Sequence, residues 1–215
     1  MGRAMVPLER MGERPGEERP ARTPTAAWPR VPPPPGALGT PDLVERRERV
    51  KADKIYLVGF MAAGKTTVAR ALAKRLDWQA VDIDELVEQR EHQTVADIFA
   101  KHGEPYFRAA ERAVLLAQVG PRHLVVATGG GTFVDAQNRA AMNGDGVSVW
   151  LDVPFDRVIA RLPADGRRPL AGDRSEFERL FHLRRAAYEL AHLRLDAGRA
   201  SVDALVEQLV DWLEH

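Results

Sequence analysis

The chain has 215 residues, with 31 basic and 31 acidic side chains and no cysteine. This length allows one medium domain plus a tail, and a formal net charge of zero provides no global field pointing to nucleic acid or a membrane. The lack of cysteine excludes disulfides, thiolate nucleophiles and Cys-based zinc sites. A cytoplasmic location fits, and no apolar run approaches the length of a membrane span.

The first fifty residues stand apart. They hold ten of the 15 prolines, including Pro32, Pro33, Pro34 and Pro35, with many Arg and Glu and few large apolar residues. Such a composition cannot bury a core, so residues 1–51 are read as a disordered, proline-rich extension. No apolar segment precedes a small-residue cleavage site, and the acidic residues argue against a transit peptide. Three readings of the arm stay open: a floppy extension, an over-long start with Met5 or Met11 as the true one, and a proline-rich ligand for a partner domain. The folded part is expected over 52–215.

It opens with a strand-like run, Ile55-Tyr56-Leu57-Val58, ending in Gly59. Gly59 to Thr66 then spells G-x-x-x-x-G-K-[ST], a phosphate cradle. The glycines allow backbone angles and a closeness to phosphate that a side chain would block. The loop N–H groups and the positive end of the next helix converge on one anion. Lys65 adds a charge for the β and γ phosphates, and the Thr66 hydroxyl is the usual Mg²⁺ ligand. The helix, Thr66 to Leu76, places Val68, Leu72 and Leu76 on one face.

Trp78 to Ile83 reads as a second strand. Residues two apart in a strand point the same way, so Asp82 and Asp84 are expected to leave the sheet edge together, suited to a metal and a proton acceptor. A second reading makes Asp84 the cap of a helix from Glu85 to Arg90. Thr94 with Asp97 marks a further helix start, running to about Lys101 and stopping near Gly103. Another helix is expected from Glu104 or Pro105 to about Val119. It carries Arg108 and Glu111 three apart on one face, by themselves an ordinary surface ion pair. His123 to Ala127 is a buried strand, followed by Thr128-Gly129-Gly130-Gly131, either bare backbone for a ligand or a flexible turn. A short helix from Asp135 to Met142, a strand from Val147 to Leu151 and a helix from Pro154 to Leu162 follow. Pro163 to Asp173, rich in Gly, Pro and Arg, is read as a mobile lid. Glu176 to Ala191 is a long helix with Phe177, Leu180, Phe181, Leu183, Ala187, Leu190 and Ala191 as apolar members. Leu193 to Asp196 is a fifth strand, and Ser201 caps the last helix, ending near Leu213. Alternating strands and helices imply an α/β fold with a parallel sheet covered on both faces.

These residues in this order resemble the shikimate kinases. The likeness runs from about Lys54 to the carboxyl end. It rests on the phosphate loop, Asp82-x-Asp84, Phe107-Arg108-x-x-Glu111, Gly129-Gly130-Gly131, Arg168-Pro169-Leu170 and Arg184-x-x-x-Tyr188. The resemblance implies a three-layer P-loop kinase fold with strand order 2-3-1-4-5, a helical substrate subdomain at about 84–119 and a lid at about 163–174. It implies ATP-dependent phosphorylation of the shikimate 3-hydroxyl, giving shikimate 3-phosphate and ADP, in chorismate and aromatic amino acid biosynthesis. The implied cofactor is Mg²⁺, and a cytoplasmic monomer without nucleic-acid or membrane partners is expected.

The same resemblance implies that Asp84 holds the ring hydroxyls of shikimate and accepts a proton, and that Arg108 and Arg184 clamp its carboxylate. Gly129, Gly130 and Gly131 meet the substrate through their backbone. Ala62, Ala63, Gly64, Lys65, Thr66 and Thr67 hold ATP, Arg168 meets its phosphates and Arg199 lies against adenine. Thr66 and Asp82 serve the metal. Departures are Phe60 and Ala62 in the phosphate loop, Thr66 for Ser, Ala171 after Arg-Pro-Leu, and Ala186 where Pro is usual. The last leaves Arg184 and its neighbour Arg185 as competitors for one place. The rival readings are a gluconate kinase or nucleoside monophosphate kinase of the same fold, and a catalytically silent sensor of ATP or shikimate. A GTPase is disfavoured, because no Asn-Lys-x-Asp motif occurs.

Overall fold

The structure, a computed structural model, describes residues 52–162 and 174–215. The proline-rich arm, the expected lid and Arg168 lie outside the described residues. Five strands, β1 (Lys54–Val58), β2 (Gln79–Asp82), β3 (Leu124–Ala127), β4 (Val147–Asp152) and β5 (Leu193–Asp196), alternate with seven helices among the described residues. The helices are α1 (Lys65–Leu76), α2 (Ile83–Glu91), α3 (Val95–Ala117), α4 (Ala136–Asp145), α5 (Phe155–Arg161), α6 (Arg174–Tyr188) and α7 (Val202–Glu214).

The strands form one parallel sheet in the order β2-β3-β1-β4-β5. Every residue of β1 and β3 is buried, as expected when helices cover both faces of a parallel sheet. Register aligns the carboxyl ends: Asp82 pairs with Ala127, Leu57 with Ala127, Val58 with Trp150 and Asp152 with Asp196. The phosphate loop, the Asp82–Asp84 turn, the glycine loop and the turn at Arg199 therefore share one edge, where open α/β sheets bind ligands.

The helices follow the sequence pattern closely. Ser201 caps α7 by accepting from Ala204 N–H at 3.1 Å, and Thr94 caps α3 by accepting from Asp97 N–H at 3.1 Å. The two helices expected around Gly103 are one element broken there, with Gly103 at φ 79° and ψ 173°. That backbone is open to glycine and costly for other residues, so the break turns the second segment on a new axis.

Two expectations need correction. β2 ends at Asp82 and α2 begins at Ile83, so Asp82 and Asp84 are not paired by strand alternation. Asp82, in extended backbone, is itself the cap, accepting from Asp84 N–H at 2.9 Å and Glu85 N–H at 3.4 Å. A carboxylate at this position satisfies donors that the first helical turn leaves orphaned, so the helix starts two residues early. On α6 the buried residues are Phe177, Phe181, Arg184 and Tyr188, while Leu183 is 67% exposed and Leu190, beyond the helix, 56%. Among the described residues no helix is long and apolar enough to cross a membrane.

Candidate active site

The phosphate loop turns on residues with positive φ: Gly59 at 138°, Ala62 at 60° and Gly64 at 93°. Gly59 also has no room for a side chain, since a Cβ would lie 2.8 Å from the Leu151 carbonyl oxygen. Ala62 takes a left-handed conformation that costs an L-residue roughly 1–2 kcal/mol. Gly64 is the N-cap of α1 and offers no side chain to its first N–H groups, which leaves them for an anion. Lys65 is buried and folds over the loop, with Nζ donating to the carbonyls of Gly59 at 2.9 Å and Phe60 at 2.8 Å. Beside it the Thr66 hydroxyl donates to Asp82 Oδ2 at 2.6 Å. Asp82 thus caps α2 with one oxygen and turns the other to the phosphate loop.

Next to this loop lies a cavity of about 620 Å³, walled by α2, α3, α6 and the glycine loop. Its apolar surface includes Met61, Phe99 and Phe107, and its charged lining is Arg108 and Arg184 with the carboxylates of Glu88 and Glu111. Arg108 Nη1 donates to Glu111 Oε2 at 2.9 Å, while Nε and Nη2 donate to Glu104 Oε1 at 3.1 and 2.9 Å. Burial pulls the Arg108 guanidinium down, but the carboxylates of Glu111 and Glu104 outweigh it and hold the group above its ordinary range. Glu111 is fully buried and also accepts the Thr132 hydroxyl at 2.6 Å. The pair is therefore not the surface ion pair that spacing alone suggests: Glu111 is a fixed internal anchor for Arg108.

The three glycines let these groups approach the backbone. A Cβ on Gly131 would lie 2.7 Å from the Arg108 guanidinium carbon and from both terminal nitrogens. One on Gly129 would collide with Glu111 Oε1 and lie 2.9 Å from Asp84 Oδ1, so Asp84 meets the glycine loop from α2. One on Gly130 would lie 3.2 Å from Met61 N and 3.3 Å from Arg184 Nη1, which joins the loop to both the phosphate cradle and the second arginine.

Arg184 is 6% exposed and stands 5.7 Å from the Phe60 ring centre. Burial pushes its guanidinium below the ordinary value, and Arg108, a like charge in the same cavity, adds to the effect. Two desolvated guanidinium groups facing one space make a seat for a carboxylate or phosphate. Tyr188, its hydroxyl pushed up by burial, donates to the Gly130 carbonyl and fixes the glycine loop to α6. Arg185 points elsewhere, donating to both carboxylate oxygens of Asp152 at 2.9 and 3.1 Å and lying 4.9 Å from the Trp150 ring centre. Of the two neighbours it is Arg184 that lines the cavity. Arg199 is exposed in the turn after β5, on the same sheet edge.

Sequence reasoning missed the parts played by Glu104, Glu111 and Thr132. A signal for Glu111 was present: the buried residues of α3 after its break are Phe107, Ala110, Glu111, Val114 and Leu115. That is a core-facing helical stripe, with a carboxylate where an apolar side chain is expected.

The sequence model of the family described as shikimate kinase matches residues 61–214. A shikimate kinase of Sulfurihydrogenibium sp. (strain YO3AOP1) is 42% identical over 157 residues, covering 73% of this chain and 95% of the relative. Among solved structures, a shikimate kinase from Acinetobacter baumannii in complex with shikimate is 33% identical, with a TM-score of 0.72, covering 78% of this chain and 96% of that one. The shikimate kinase of Aquifex aeolicus, also 33% identical, has a TM-score of 0.69 over 75% of this chain and 96% of its own.

Proposed function

The chain belongs to the shikimate kinase family, and on that premise we propose that it transfers the γ-phosphoryl group of ATP to the 3-hydroxyl of shikimate. The observation that carries the reading is the pairing of Arg108 and Arg184 in one cavity against the glycine loop, adjoining the phosphate cradle. A compact acceptor with one carboxylate fits that pairing, since each guanidinium can meet a carboxylate through two parallel hydrogen bonds.

In this reading the ATP phosphates lie on the backbone of Ala62, Ala63, Gly64, Lys65, Thr66 and Thr67. Lys65 leaves its two carbonyl partners for the phosphates. Shikimate places its carboxylate between Arg108 and Arg184 and its ring hydroxyls toward Asp84 and the backbone of Gly129, Gly130 and Gly131. The 3-hydroxyl oxygen forms a bond to the γ-phosphorus as the bond to the bridging oxygen of ADP breaks, and Asp84 takes the hydroxyl proton. A loose transition state needs little proton removal early, so alignment and charge neutralisation carry most of the catalysis. Lys65 provides the charge from the loop. Arg168, outside the described residues, keeps the phosphate-facing role implied by the resemblance, and Arg199 keeps its place against adenine.

Thr66 and Asp82 suit a Mg²⁺ ion that arrives with ATP. One hydroxyl and one carboxylate, 2.6 Å apart, are what such an ion takes from a protein when phosphates and water fill its other positions. Among the described residues no cluster of three or more His, Cys, Asp or Glu offers an all-protein cage. When bound, the ion would neutralise phosphate charge. Phosphorus NMR of the product tests the reading: a new phosphomonoester on the shikimate 3-oxygen supports it, and a phosphate on another ring oxygen rejects the assigned orientation.

A further inference from the structure

Arg108 is shared by two acids of unequal standing. Glu111 is fully buried and holds both Nη1 and the Thr132 hydroxyl. Removing it would strand a charge in the interior. Glu104 is different. Its side chain is 52% exposed, and its hydrogen bonds go to Arg108 alone among the described residues, through Nε and Nη2. It follows Gly103, whose backbone breaks α3, and so stands one turn before Arg108 on the same face of the second segment. A carboxylate on the Nε–Nη2 edge of a guanidinium uses the donors that an acceptor carboxylate would also use.

We propose that Glu104 competes with the acceptor carboxylate for Arg108 and holds acceptor affinity below what the two arginines would give without it. The inference rests on the reading of Arg108 as a carboxylate seat. Glu111 fixes where the guanidinium is, against Gly131, and Glu104 sets how available it is. The separation of two carboxylates sharing one guanidinium is taken as about 5 Å for the Coulomb energy. In the watery environment of a half-exposed site their repulsion corresponds to roughly a fourfold to tenfold loss of affinity. The effect requires a negative charge on the acceptor, so it bears on carboxylates and leaves neutral polyols unaffected.

Glu104→Gln tests this. The amide oxygen can still accept from Arg108, so orientation is kept and only the charge is removed. Shikimate affinity, measured by calorimetric titration and as KM, is expected to tighten about fourfold to tenfold, less so as salt is raised. In an Arg108→Ala background the same substitution is expected to gain clearly less, because Glu104 is then no longer held against the seat. Unchanged or weaker shikimate binding by Glu104→Gln overturns the competition. Arg108→Ala alone separates this failure from the other: if it leaves shikimate affinity intact, the carboxylate-seat reading falls and the competition with it. If Arg108→Ala weakens binding while Glu104→Gln does not tighten it, only the competition falls.

Discussion

Gly131→Ala probes the seat of Arg108 without touching any charged group. The backbone there needs no positive φ, so alanine brings no strain of its own. The added Cβ would meet three guanidinium atoms at 2.7 Å. An unstrained carbon contact is about 3.5–4.0 Å, so the guanidinium must retreat by about an ångström. Glu111, fully buried and tied to Thr132, does not follow. Arg108 then loses either its hold on Glu111 or its fit to the acceptor carboxylate. One charged hydrogen bond is worth about 1.5–3 kcal/mol, so KM for shikimate should rise roughly 10- to 150-fold. Steady-state ADP release with varied shikimate and saturating ATP measures this, and varied ATP gives the control, whose KM should hold. A thermal unfolding midpoint close to that of the parent chain would show that the change is local. A shikimate KM within twofold of the parent would refute the placement of the acceptor carboxylate on Arg108.

Lys65→Ala and Asp84→Asn should each lower kcat by roughly 100-fold or more, the usual loss when one preorganised electrostatic group is removed; single-turnover quench measurements would detect either variant that keeps a near-parental chemical step. Arg184→Ala should weaken shikimate binding by an amount similar to Arg108→Ala. Arg185→Ala should leave that binding intact and lower stability by about 1 kcal/mol or less, because its partly exposed bond to Asp152 lies away from the cavity; equilibrium titration and denaturant unfolding separate the two. At the far end of the sheet, buried Lys54 and Asp145 form an ion pair, and Tyr56 donates to the same carboxylate at 2.6 Å. Burial pushes the Asp145 carboxyl up, but bonds from Lys54, Tyr56 and Gly120 N–H outweigh it and hold it below the ordinary value of 3.8. A depressed folded-state value means that this stability is fully present above pH 3.8 and is lost as pH falls through the folded value. Asp145→Asn should cost about 3–5 kcal/mol, the range for breaking a buried pair, and should remove that segment of the acid-unfolding curve. An acid limb of unchanged shape in Asp145→Asn would count against the pair.

Much of the site was legible because its chemistry is local in sequence. The phosphate loop and the triple glycine are contiguous, and each follows an apolar run typical of a buried strand. What stayed hidden depended on which face of a helix points inward. The apolar residues between Glu176 and Ala191 include Leu183 and Leu190, so apolarity alone does not separate the buried face from the exposed one. The buried face of α6 instead passes through Phe177, Phe181, Arg184 and Tyr188. Leu183 lies off that stripe, and the position it leaves is filled by the arginine that lines the cavity. Glu111 is the same case on α3. In both helices a charged residue sits on the apolar stripe, which costs stability and is sustained by a partner: Glu111 by Arg108 and Thr132, Arg184 by Tyr188 and the Phe60 ring. Asp82 and Asp84 were legible as a pair, but strand alternation was the wrong reason, because a helix cap overrode the strand one residue sooner.

The identity of the acceptor is tested by ADP release from Mg-ATP by the full chain with shikimate, run beside gluconate, quinate and nucleoside monophosphates. Turnover is expected to depend on shikimate and to be at least about an order of magnitude slower with every other acceptor. Turnover with gluconate or a nucleotide but not with shikimate would keep the phosphate cradle and contradict the roles given to Arg108, Gly130 and Arg184.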